Sequence, residues 1–358
     1  MNNFFKTARG LGALALAVMS AACSTDVFYR QRNLVADGPA IMSEQKDPNL
    51  VNAWGIAFNP FGVVWVNDQG TGLSTLYDGN GVPQTLVVRV PGRVAGTTGT
   101  PTGIVFYGGG GFTVSQAGLT GPSRFIFASQ DGVISGWAPN VNLTNAIPVV
   151  NGGPDNPFYT GLAISAGGTR ALLYASDFRN GKIDVFDTTF ARVTLPGTPF
   201  RDPYLPRGYA PYGLQAINGD IYVTYALQSA NREDAVAVRG AGFVSVFDPN
   251  GVFIRQLVSG DHLNAPWGLA LAPASFGKLA NRLLVANHGD GTIHAFDFAN
   301  GDWKGQLRHE DGRPIRVDGL WGLSFGNGLA NQPINTLFFT AGPNGGANGL
   351  YGRLDVAR

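Results

Sequence analysis

The sequence predicts an all-β fold: six four-stranded blades closed into one β-propeller. Three observations lead there. A Gly-centred apolar run recurs six times, at intervals of 48 to 58 residues. Each is followed by short strand-like runs bounded by Gly, Pro, Asn and Asp. One orphan run near the N-terminus matches the fourth run that the last copy lacks. Composition agrees: 51 Gly and 22 Pro among 358 residues make a turn-rich chain, and 44% apolar residues suffice for a large core.

Copy one reads NAWGIAFNP (52–60), VVWVND (63–68), LSTLYDGNG (73–81) and QTLVVRVPG (84–92). Copy two reads GTPTGIVFY (99–107), RFIFASQDG (124–132), VISGWAPN (133–140) and AIPVVNG (146–152). Copy three reads PFYTGLAIS (157–165), ALLYASDF (171–178), KIDVFDTT (182–189) and RVTLPG (192–197). Here Ile183 and Val185 alternate with Lys182 and Asp184, the period of a half-exposed strand. Copy four reads YAPYGLQAI (209–217), DIYVTYA (220–226), FVSVFDPNG (243–251) and FIRQLVSG (253–260), with a long charged loop at 233–242. Copy five reads NAPWGLALAP (264–273), RLLVANHGDG (282–291), TIHAFDFANG (292–301) and WKGQLRHEDG (303–312). Copy six has DGLWGLSFG (318–326), TLFFTAG (336–342) and GLYGRLDV (349–356), and then the chain stops. The orphan YRQRNLVADG (29–38) resembles FIRQLVSG, so it is expected to pair onto the sixth blade and close the ring. Closure removes an unpaired strand edge.

Residues 1–22 are expected to be a signal peptide: Lys6 and Arg9, then the apolar Leu11–Met19, then Ser20-Ala21-Ala22. The single cysteine, Cys23, excludes an intramolecular disulfide. It stands where a lipoprotein carries its lipid, although Ser20 replaces the common Leu of that pattern. The expected organisation is a signal peptide at 1–22, a tether at 23–28 and the propeller at 29–358. The chain would then be anchored in the cell envelope by lipid, or secreted without it. A net charge of +1 offers no basic surface for nucleic acid.

The patterns P-x-G-[LI]-A, [LI]-[YL]-V-A-[ND] and I-x-[VA]-F-D resemble NHL repeats and gluconolactonase-like propellers. Along its length the chain is most similar to a bacterial family of exported six-bladed propellers. The resemblance implies that the first run of each copy is the innermost strand. The start of that strand, the end of the second and the start of the third would then share one face. Gly55, Gly103, Gly161, Gly213, Gly268 and Gly322 would let inner backbones approach closely.

That face gathers the candidate site. Trp54, Tyr212, Trp267 and Trp321 are candidates to stack a ligand, or else to fill the hub. Asn67, Asp68, Gln130, Asp177 and Asn287 are candidate oxygen ligands for a Ca2+-type cation, or else caps of their own turns. Gluconolactonase-like propellers hold such a central cation, but their N-terminal Glu ligand has no clear counterpart, since 27–50 contains only Glu44. His288 or Asp177 would move a proton in a catalytic version. YGGGGF (107–112) lacks the frame of a nucleotide loop, and no G-x-S-x-G or H-E-x-x-H occurs. The first expectation is a monomeric binding or scaffold module for an envelope protein, peptide or glycan. The second is a metal-assisted hydrolase or lactonase.

Overall fold

All but one of these runs, with three further short segments, form 26 strands in a computed structural model that describes Met1, residues 28–165 and residues 171–357. Apart from Met1, the expected signal peptide lies outside the described residues, as does Cys23. Blade 1 comprises Ala53–Phe58, Val64–Asp68, Leu73–Tyr77 and Val88–Arg89 in that order. Blades 2, 4 and 5 repeat the antiparallel four-strand order, and the first strands of neighbouring blades touch around the hub. Blade 6 pairs Leu320–Phe325, Leu337–Ala341 and Leu350–Val356, and the N-terminal strand Tyr29–Ala36 completes it. That closing strand runs antiparallel to Leu350–Val356, from Tyr29 opposite Val356 to Ala36 opposite Leu350. Gln45–Lys46 then adds a short parallel fifth strand. The expected six-bladed, N-terminally closed propeller is what the chain forms.

Three local details differ from the sequence reading. The run 192–197 makes only a bridge from Arg192 to Phe186, so blade 3 has three strands. Pro196 can donate no backbone bond and Gly197 has φ 73°, so pairing cannot extend. Blade 1's outer strand shrinks to Val88–Arg89 between Pro83 and Pro91 for a similar reason. Between the first two strands of blade 2 lies an extra hairpin, Thr113–Gln116 with Leu119–Pro122. Its turn is Ala117-Gly118, at φ 52° and 81°, the twist that suits a two-residue hairpin loop.

The hub explains the recurring glycine. A Cβ on Gly55 would lie 2.2 Å from the Thr102 carbonyl oxygen of the next blade. On Gly213 it would lie 2.2 Å from the Trp267 oxygen, and on Gly268 2.4 Å from that of Trp321. Hydroxyls stitch the same seam: Thr102 Oγ1 donates to the Tyr159 carbonyl at 2.9 Å, and Thr160 Oγ1 to that of Tyr212 at 2.7 Å. Aromatic pairs fill the wedges between blades. Trp65 stacks on Phe125 at 4.1 Å, and Tyr77 on Tyr351 of the closing blade at 5.3 Å.

Candidate functional site

At the head end of the inner strands the channel opens into a cup of about 570 Å³. Antiparallel geometry brings strand starts (Trp54, Tyr212, Trp321) and second-strand ends (Gln130, His288) there, as expected, and the 233–237 loop joins them. Trp54 lies face to face with Trp321 at 3.6 Å, and the His288 ring stacks on Trp321 at 3.7 Å. Tyr212 meets Trp321 edge-on at 5.9 Å. Trp54, Tyr212 and Trp321 are buried, so they plug the hub and also floor the cup. Burial and the nearby Asp234 raise the Tyr212 phenol well above its usual range, so it stays protonated.

The walls are polar, and carboxamides relay hydrogen bonds along one side. Trp321 Nε1 donates to Asn52 Oδ1 at 3.0 Å, Asn52 Nδ2 to Gln69 Oε1 at 2.9 Å, and Gln69 Nε2 to Gln130 Oε1 at 2.7 Å. The relay fixes the Gln130 carbonyl as acceptor and leaves its NH2 as a donor. Trp54 Nε1 is buried with no acceptor among the described residues. Asp234, Asp318 and Glu233 also line the cup, the last paired with Arg179. His288 Nδ1 sits 3.3 Å from the Leu320 carbonyl. Burial holds His288 down to about 4, against the opposing pull of the Leu320 carbonyl and Asp318. At neutral pH it is therefore uncharged, with its proton on Nδ1 facing that carbonyl and Nε2 free to accept.

The other candidates lie elsewhere. Trp267 is placed on the glycine-ring side of the plug, beside Gly55, Gly103 and Gly268, and its Nε1 donates to the Thr160 carbonyl at 2.9 Å. Asp177, offered as base and ligand, braces its own turn: Oδ1 accepts from the Phe158 N–H at 3.0 Å and Oδ2 from Asn180 Nδ2 at 2.7 Å. Asn287 does the same in blade 5, accepting from the Asn264 N–H at 3.0 Å. Asn67 turns its amide N–H toward the Thr102 and Gly103 carbonyls. Among the described residues no three His, Cys, Asp or Glu side chains are grouped to hold a metal. Asp177 and Asn287 thus cap their own turns, the other role the sequence offered them. Asp68 stands apart: its carboxyl is fully buried with neither oxygen hydrogen-bonded among the described residues, and burial raises its pKa well above the carboxylate range. Thr75 stands close enough to temper that rise.

Sequence reasoning passed over Asn52, Gln69 and Asp318. Asn52 and Asp318 lie in the linkers just before head strands, and Gln69 follows Asp68. Their signal was position on the shared face rather than any motif.

No family model matches the chain. Among solved structures, a Bacteroides thetaiotaomicron protein of unknown function aligns at TM-score 0.56 and 10% identity, covering 93% of this chain and 77% of that one. A protein titled putative gluconolactonase aligns at TM-score 0.51 and 13% identity, covering 93% of each. Such likeness shows the fold alone. Among curated sequences, "Uncharacterized protein R648" of Acanthamoeba polyphaga mimivirus is 34% identical over 317 residues, 86% of this chain and 76% of its own. "Uncharacterized protein L690" of the same virus is 33% identical over 332 residues, 90% of this chain and 84% of its own. The relatives that define the family are viral, where the sequence alone suggested a bacterial one. The chain belongs to the six-bladed propeller family of these two mimivirus proteins.

Proposed function

We propose that the protein is a binding propeller whose cup takes a polyhydroxylated, glycan-type ligand. One observation carries this reading: a stacked aromatic floor beneath walls that carry both amide donors and carboxylates. Sugar hydroxyls both donate and accept, and their C–H faces pack on aromatic rings. Gln130 Nε2 would donate, and His288 Nε2, Asp234 and Asp318 would accept. The low basicity of His288 suits an uncharged acceptor better than a general base at neutral pH.

A soluble oligosaccharide panel with Gln130→Ala and Asp318→Asn tests the reading. Loss of one good hydrogen bond should weaken capture about tenfold without lowering the melting temperature. Retained affinity in both variants would remove the cup from the binding site. We also propose export, with lipid on Cys23. Cys23→Ser should move the protein from the membrane fraction to the soluble one; membrane association that survives it counts against the lipid.

A further inference from the structure

On the same face, a second cavity of about 300 Å³ lies on the outer flank of blade 5. The blade-5 hairpin turn separates the two: His288 and Gly289 border the cup, while Asp290 and Thr292 border the flank cavity. Three arginines converge there. Arg239 Nε donates to the Asp261 carbonyl at 3.3 Å, Arg308 NH1 to that of Gly312 at 2.8 Å, and Arg316 NH1 to that of Asp290 at 3.1 Å. No ion pair joins any of the three to a carboxylate among the described residues. Three guanidiniums held by backbone oxygens keep their remaining N–H groups for an outside anion.

The cavity also has an aromatic wall. Trp303 is 44% exposed although it is a large apolar ring, and His262 stacks on it at 4.3 Å with the planes 9° apart. Trp303 Nε1 donates to His294 Nδ1 at 3.0 Å, so the neutral His294 ring carries its proton on Nε2. Burial and then His262 depress His294 to about 4, with Arg316 and Arg239 adding to the effect. Asp290 Oδ1 is taken by the Thr292 N–H and hydroxyl, and the Asp261 carboxylate is exposed. Against three arginines, these two carboxylates leave the cavity net positive, with acceptors for hydroxyls.

We propose that this flank cavity binds a sugar acid, a pyranose-sized ring bearing a carboxylate or a phosphate. The arginines take the oxyanion, Trp303 the ring, and Asp261 with Gln306 the hydroxyls. The site is independent of the glycan reading of the cup, because no residue lines both.

Titration of the full protein with glucuronate, glucose 6-phosphate, inorganic phosphate and glucose, followed by calorimetry and by the ring C2–H signals of its four histidines, tests it. A bound oxyanion raises the pKa of His294, so the signal absent from His294→Gln should titrate at higher pH. One or both sugar acids should bind at least about tenfold tighter than glucose and phosphate. Arg316→Gln and Arg239→Gln, exposed and free of ion pairs, should abolish that binding and leave the melting temperature unchanged. Gln130→Ala in the cup should leave it intact. The proposal is overturned if no sugar acid binds, if inorganic phosphate or glucose binds as well, or if the arginine variants bind normally.

Discussion

His288 is pressed between the Trp321 ring and the Leu320 carbonyl, where charging it would cost desolvation. Its pKa falls from 6.5 unfolded to about 4 folded, so the unfolded chain holds the extra proton between those values. The stabilisation is complete above pH 6.5 and is lost as pH falls toward 4, about 3 kcal/mol in all. Melting temperature should therefore drop across that window, and less steeply in His288→Gln; parallel curves would remove His288 as the cause. Asp68 carries the opposite sign. Burial raises it, so its contribution is whole below the unfolded value of 3.8 and is lost as pH rises. Asp68→Asn should melt several degrees higher than the wild type near pH 7 and equally at pH 3.5. If Asp68 instead holds a cation, Ca2+ should raise the wild-type melting temperature, and Asp68→Asn should lose that response.

At the level of the strand, the head glycines decide how tightly blades can meet. A Cβ at Gly213 would press on the Trp267 carbonyl oxygen, a backbone atom that cannot swing away. Gly213→Ala should cost about 1–3 kcal/mol or more through overpacking. Gly110→Ala, where no atom lies within 4 Å of the added methyl, should be close to neutral. Equal melting temperatures for the two would mean that hub spacing is not what selects glycine. The motif disclosed the six inner strands because this packing demand repeats with each blade. It disclosed outer strands less well: 192–197 has the composition of a strand, but no neighbour imposes pairing on a short run ending in Pro-Gly.

The whole ring rests on one joint, seven paired residues between Tyr29–Ala36 and Leu350–Val356. Tyr29 OH also donates to the Phe276 carbonyl of blade 5 at 3.2 Å, which ties the closing strand to the neighbouring blade. Removal of residues 24–38 should expose the Leu350–Val356 edge, lower the melting temperature and drive self-association, seen by size-exclusion chromatography. A truncated protein that stays monomeric and equally stable would show that the joint is dispensable.

The repeat of Gly-headed runs and the orphan strand together determined the number of blades, their order and the closure, because both are periodic features of a linear chain. The sequence also determined which face would gather Trp54, Tyr212, Trp321, Gln130 and His288, since antiparallel order follows from strand sequence. Only the tertiary structure decided which of that face's residues share a cavity. It sent Trp267 to the far side of the plug, tied Asp177 and Asn287 into their own turns, and drew Asn52, Gln69 and Asp318 into the cup. Those outcomes depend on side-chain direction and on hydrogen bonds between segments far apart in sequence, such as Trp321 to Asn52, which no local pattern encodes.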